Sequence, residues 1–258
     1  VEVLEIKNVS KEFRIRSRSL PVLRDIDLQV AAGEFVSLVG LSGCGKTTLL
    51  RLIVGLDSQY QGAIYLGGNR LNGPSRKRGI VFQEPRLLPW LTIEQNVRLA
   101  LGKDQSKAGN HTVLEHLALV GLKGYEKAYP SQLSGGMAQR AAIARALVAN
   151  PAVLLLDEPL GALDALTRLY MQRELERIWQ QQKTTMVMVT HDIDEAIQLS
   201  DRVVILSSSP GEVKRIVDVP LPRPRNRESE EFREIRETIL DEFSLLGGTH
   251  RNINGGGI

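Results

Sequence analysis

In residues 23–30, LRDIDLQV, polar and apolar positions alternate from Asp25 to Val30. Ile26, Leu28 and Val30 fall on one side of an extended chain, and Asp25, Asp27 and Gln29 on the other. That period predicts a half-buried strand in an antiparallel layer. Residues 2–10 (EVLEIKNVS) and 62–68 (GAIYLGG) read as further strands of the same layer. Three other runs are apolar almost throughout: FVSLVG at 35–40, AVLLLDE at 152–158 and TTMVMVTHD at 184–192. Such strands are buried on both faces, as in a parallel sheet, and a helical pattern follows each. The predicted fold class is α/β.

Between about 88 and 150 the periodicity changes to that of helices. Residues 92–101, TIEQNVRLAL, open with Thr92 and place Gln95 three positions on, a capping-box signature. Residues 111–122 put Val113, Leu114, Leu117, Leu119 and Val120 mostly on one face, with Gly121 as the stop. KDQSKAGN, 103–110, reads as a polar loop. Near the end, Phe232, Ile235 and Ile239 form a narrow helical stripe among charges, expected to pack a surface helix onto the domain. The predicted organisation is a single domain over 1–244. Its core is 1–86 and 151–225, its helical insert about 87–150, its C-terminal helix about 228–244. A glycine-rich, flexible tail is expected over 245–258.

Composition alters little. The chain has 258 residues, 42% hydrophobic and 24% charged, with a net charge of +3, as a soluble domain would. The single cysteine, Cys44, excludes an intramolecular disulfide and a cysteine-built metal site. No apolar run is long enough to span a bilayer, and the first residues do not read as a signal peptide, so any membrane role is expected through partners.

The chemistry sits at the ends of the buried strands. After FVSLVG, residues Gly40, Gly45, Lys46 and Thr47 fit G-x-x-x-x-G-K-[ST], with a strand before and a helix after. Glycines let successive N–H groups curl around a phosphate chain, and the helix start adds its positive end. Lys46 is expected to reach the β- and γ-phosphates and Thr47 to ligate Mg²⁺; Ser42, Gly43, Cys44 and Thr48 complete the expected ATP-binding loop. Asp157 ends a buried strand and is expected to hold the metal. Glu158, next to it, is placed to polarise the attacking water if the chain turns there. His191 ends the third buried run and is expected at the γ-phosphate; Gln83, after GIVF, can bridge Mg²⁺ or water to a moving segment. A second anion-binding helix start, LSGGM, has Ser134, Gly135, Gly136 and Met137 but no lysine or carboxylate of its own.

Together these motifs resemble the ATP-binding subunit of ABC transporters over nearly the whole chain. GLSGCGKTT is similar to Walker A, LLLDEP to Walker B, LSGGM to the signature, GALD to the D-loop, His191 to the switch histidine and Gln83 to the Q-loop. The resemblance implies a P-loop NTPase (RecA-like) core with an antiparallel β subdomain and an inserted helical subdomain. It implies Glu158, His191 and Gln83 as the catalytic set and Thr47, Gln83 and Asp157 as the Mg²⁺ set. It also implies a head-to-tail homodimer in which Ser134, Gly135, Gly136 and Met137 serve the partner's ATP, with Asp164 touching the opposite subunit. Phe13 matches the aromatic residue on which adenine stacks. Met137 stands where the family commonly has Gln, so a side-chain hydrogen bond is lost. FQEPRLLPW, LSGGMAQR and SSSPGEVKRIVDVPLPRPR are similar to the nitrate, sulfonate and taurine importer branch, and aliphatic sulfonate is the cargo this favours, with nitrate, taurine or bicarbonate open. Two membrane permease subunits and, indirectly, a periplasmic solute-binding protein are the implied partners, at the cytoplasmic face of the inner membrane. Apolar Leu87, Leu88, Pro89 and Trp90 are expected in the groove that receives the permease. A DNA-repair ATPase of the superfamily would carry a coiled coil or zinc insert between the two loops, and none is present, so no nucleic-acid partner is expected. A P-loop kinase would lack LSGG and the D-loop.

Overall fold

A computed structural model of the chain describes residues 2–16, 18–102 and 109–248. Two sheets face each other across one helix. The first is antiparallel and contains β1 (Leu4–Ile15), β2 (Arg18–Val30), β4 (Gln61–Leu66) and β5 (Asn69–Arg70), in the order β2-β1-β4-β5. Alternation along β2 buries Ile26, Leu28 and Val30 and exposes Asp27 and Gln29 between them; a register shift at Arg24 and Asp25 brings Leu23 to the same buried face. The second sheet contains β3 (Phe35–Gly40), β6 (Arg78–Val81), β7 (Val153–Asp157), β8 (Thr185–Val189), β9 (Arg202–Leu206) and β10 (Val213–Asp218). Its order is β10-β9-β3-β8-β7-β6, parallel throughout except for the antiparallel edge strand β10. Every residue of β3 and β8 is buried, as continuous apolar runs require.

Helix α1 (Lys46–Val54) fills the space between the sheets. Its Leu49, Leu50, Leu52 and Ile53 pack with Ile6, Ile26 and Ile64 on one side and Val36, Leu38 and Val187 on the other. The opposite face of the parallel sheet is covered by α2 (Ile93–Arg98), α3 (Gly109–Leu119), α4 (Gly135–Leu147) and α5 (Ala165–Gln182), around Phe35, Leu154, Leu156 and Met186. The Thr92–Gln95 capping box is formed in both directions. In α3, Val113 and Leu117 are fully buried, as is Val120 just after it, but Leu114 is exposed. It lies about 100° around the helix from Val113, beyond the edge of the buried stripe.

Helix α6 (Ile193–Leu199) and α7 (Glu230–Gly248) pack beside β3 and β9. Phe232 and Ile239 of α7 are buried against Val39, Ala196, Val203 and Ile205, the packing expected of the stripe. The helix runs to Gly248, so it takes in the start of the segment expected as a tail from 245; residues 249–258 lie outside the described residues, as does most of the loop expected at 103–110. Between β10 and α7 the chain is strapped down by arginines. Arg225 is buried and donates to the carbonyls of Ile197, Ser200, Val219 and Leu221, two of them orphan acceptors at the C-terminal end of α6. Arg223 donates to Asp201 and Leu199 and lies over the ring of Trp179 in α5. Arg227 joins Gln172 of α5 to Gln198 of α6.

Candidate functional site

Strand β3 ends at Gly40, and the chain makes one tight loop before α1 begins at Lys46. Gly45 caps the helix with φ 97°, and a Cβ there would come within 2.6 Å of Leu23 Cδ2 in β2, so only glycine closes this loop. Lys46 is buried, with its ammonium donating to the carbonyls of Gly40 at 2.8 Å and Leu41 at 3.0 Å. Ser42 and Gly43 line the exposed rim of the loop, while Cys44 is wholly buried beneath it and Thr48 is half-buried. The Thr47 hydroxyl donates to Asp157 Oδ1 at 2.9 Å, across from α1 to the end of β7. Burial raises the Asp157 carboxyl above its ordinary range; the Thr47 hydrogen bond opposes this and the neighbouring Glu158 charge adds to it.

Adjacent residues of a strand point to opposite faces, so Asp157 and Glu158 need a turn between them to share a site. The turn is present. Glu158 has φ 45°, its N–H donates to the Val189 carbonyl of β8 at 2.9 Å, and its Oε2 lies 3.3 Å from His191 Nδ1. A methyl group placed on Gly161 would stand 3.4 Å from both Glu158 Oε2 and Gln83 Nε2, which sets Gln83 on the same side of the 157–161 turn. Lys46, Thr47, Asp157, Glu158, His191 and Gln83 therefore gather at the C-terminal edge of the parallel sheet, where open α/β sheets bind ligands. Phe13 is 40% exposed on β1 and shares a cleft of about 630 Å³ with Thr48 and Arg51; Lys11 lies over its ring at 4.8 Å.

The second loop stands apart. Ser134 caps α4 by accepting from the Met137 N–H at 3.3 Å. Gly136 is the close contact: a Cβ there would come 2.6 Å from Thr167 Cγ2 at the start of α5. Gly135 is exposed, and the half-buried Met137 packs inward against the helical core. Asp164, exposed, caps α5 by accepting from Thr167 N–H at 3.1 Å, and the bonds from Thr167 hold its carboxyl below the usual range. Among the described residues, no hydrogen bond or ion pair joins 134–137 to the loop at 40–48.

Three residues of consequence were given no role of their own from the sequence. Gln139 is 1% exposed and donates to the Phe82 carbonyl at 3.2 Å; Arg145 donates to Pro85 and Arg86 at 2.7 and 2.8 Å. Helix α4 thus grips the 82–86 segment that carries Gln83. Asn96 is fully buried and bonds to the backbone of Leu88, Leu91 and Thr92. The apolar stretch at 87–90 divides accordingly: Leu87 packs on the helical core, whereas Trp90 is 69% exposed. The available signal was a polar residue on the buried face of a helix.

A glycine loop with lysine and threonine between a parallel strand and a helix, facing an aspartate on a neighbouring strand, defines a P-loop NTPase. The chain belongs to the ABC transporter family, whose model matches residues 23–161. It is 50% identical over 244 residues to an aliphatic sulfonates import ATP-binding protein of Bacillus cereus, covering 95% of this chain and 97% of that one. The protein of the same description from Bacillus subtilis is 49% identical over 233 residues, covering 90% and 91%. An ABC transporter ATP-binding protein of Methanocaldococcus jannaschii, itself uncharacterised, is 47% identical over 240 residues, covering 92% and 90%. Among solved structures, a dimeric ATP-binding cassette in a post-hydrolysis state with ADP and Pi superposes with a TM-score of 0.74 at 34% identity, covering 85% of this chain and all of that one.

Proposed function

We propose that this chain is the ATP-hydrolysing subunit of an importer for aliphatic sulfonates. The observation that carries the chemistry is the paired contact at the sheet edge, Thr47 to Asp157 and Glu158 to His191, beside Lys46. The cargo is supported by the relatives, whose match runs nearly end to end. ATP lies along the 40–48 loop, its base on Phe13. Its terminal phosphates exchange for the Gly40 and Leu41 carbonyls at the Lys46 ammonium. Glu158 orients and polarises the attacking water, and His191, held toward Glu158, contacts the γ-phosphate.

The donor set fits Mg²⁺. A hydroxyl and a carboxylate in contact give the few oxygen ligands that this ion takes from protein, and two adjacent acids with Asp157 already raised call for a cation. Thr47, Asp157 and Gln83 would hold it, and when bound it neutralises charge developing on the β- and γ-phosphates.

Ser134, Gly135, Gly136 and Met137 serve the ATP of a second copy, with Asp164 at the same interface. Their separation from the phosphate loop and the dimeric form of the related cassette support this. The core, 1–86 and 151–225, then binds ATP, and the insert, about 87–150, presents the signature. Exposed Trp90 is the contact for one of two permease subunits, which work with a periplasmic solute-binding protein. No helix among the described residues is long and apolar enough to cross a membrane, in keeping with a peripheral subunit at the cytoplasmic face.

Two variants test the site. Lys46→Ala is expected to lose tight ATP binding and turnover; retained turnover refutes the phosphate-loop assignment. Glu158→Gln is expected to bind ATP without cleaving it and to elute as a dimer with ATP on gel filtration. Disruption of the gene tests the cargo: growth on an alkanesulfonate as sole sulfur source should fail, and a defect on nitrate or taurine alone would reassign it.

A further inference from the structure

The helix that follows His191 carries a buried acid that the chemistry above does not use. Glu195 lies in the first turn of α6 and is 4% exposed. An acid there ordinarily complements the helix end from the surface; this one faces inward. The Thr190 hydroxyl donates to Glu195 Oε2 and accepts from the Asp192 N–H at 3.1 Å, and the Glu195 N–H donates to Asp192 Oδ1 at 2.9 Å. These bonds close a ring around His191, whose imidazole projects outward from it. The second carboxylate oxygen, Oε1, is buried without a hydrogen-bond partner. Burial pushes Glu195 up to about 7, with Asp192 adding to the rise and Thr190, Arg168 and His191 opposing it.

Arg168, on α5, mirrors this arrangement. Its Nη2 donates to the Leu163 carbonyl at 3.0 Å, in the turn before Asp164, and its Nε is buried without a partner. An orphan donor and an orphan acceptor thus sit on neighbouring helices. One is tied to the Asp164 turn and the other lies beneath His191. Each orphan costs free energy that pairing would recover.

We propose that Glu195 is the positioning residue of His191, and that Arg168 is its counterpart, linking the Asp164 turn to the His191 turn within one subunit. A shift of the Asp164 turn on dimer closure carries Arg168 with it, and Glu195 passes the change to Thr190 and the backbone at His191. The proposal rests on the reading of His191 as the γ-phosphate contact.

Steady-state ATP hydrolysis by the full chain tests it. Glu195→Ala and Thr190→Val should each lower kcat roughly tenfold, the loss expected for one hydrogen bond to an ionisable group. KM for ATP should stay near wild type. Glu195→Gln, whose amide oxygen still accepts from Thr190, should recover kcat to within about twofold. Adding Arg168→Gln to Glu195→Ala should cost no more than Glu195→Ala alone. Unchanged kcat in Glu195→Ala, a rise in KM as large as the fall in kcat, or additive losses with Arg168→Gln would each overturn the proposal. If Glu195→Ala folds poorly, Thr190→Val carries the same test. His191→Ala, measured alongside, separates the two readings: its loss of turnover with Glu195→Ala intact refutes the positioning role alone, whereas turnover in His191→Ala refutes the role given to the histidine.

Discussion

Glu158 owes its place in the site to one dihedral angle. Its φ of 45° is unfavourable for a residue with a side chain and is held by the bond to Val189. Glu158→Gly would relax the turn and remove the acid together, so Gln is the informative change. Glu195 makes a different prediction. Its ordinary value is 4.5 and burial raises it to about 7, so the native state binds the proton more tightly than the unfolded chain. The stability this contributes is complete below about pH 4.5 and is lost as pH rises to about 7. Denaturant titrations at pH 5 and pH 8 should show Glu195→Gln more stable relative to wild type at pH 8 than at pH 5. Lys46 and Thr47 were legible in the sequence because the chain fixes their spacing locally, and Asp157 because it ends an unbroken apolar run. Glu195, Arg168 and Gln139 were not: Gln139 meets Phe82 only through packing, and the burial that leaves atoms of Glu195 and Arg168 without partners comes from the helices around them rather than from their local sequence.

At the scale of elements, the patterns with the clearest period were the ones realised. The alternation in β2 and the unbroken apolar runs of β3, β7 and β8 leave each strand one way to bury itself. In α2 the capping box satisfies backbone donors at both Thr92 and Gln95. Thr92→Ala should lower stability by about 1 kcal/mol in urea denaturation, without altering ATP hydrolysis beyond that. Leu114 shows where periodicity fails. Apolar residues on the shoulder of a stripe can sit inside or outside it, and only the neighbouring helix decides. Helix α4 shows another limit: its buried Gln139 and half-buried Arg145 look like breaks in an apolar face until the backbone of the 82–86 segment is seen against them.

For the whole molecule, the strap between β10 and α7 determines how the outer helices sit. Arg223, Arg225 and Arg227 each bond to α6 or the residues just after it, and two of them also reach α5. Arg225→Ala would leave carbonyls at the end of α6 without donors. The expected cost is about 3 kcal/mol, measurable as a lowered midpoint in thermal or urea unfolding. The order of the parallel sheet has a consequence for how the protein comes into being. Strand β3, which ends in the phosphate loop, lies between β8 and β9, so its two neighbours begin at residues 185 and 202. A nascent chain that has reached residue 161 already spells out both glycine loops and the acidic pair, yet β3 has nothing to pair with. The ribosome has to deliver the chain past residue 206 before a nucleotide can be held, and a fragment ending at 161 should bind none.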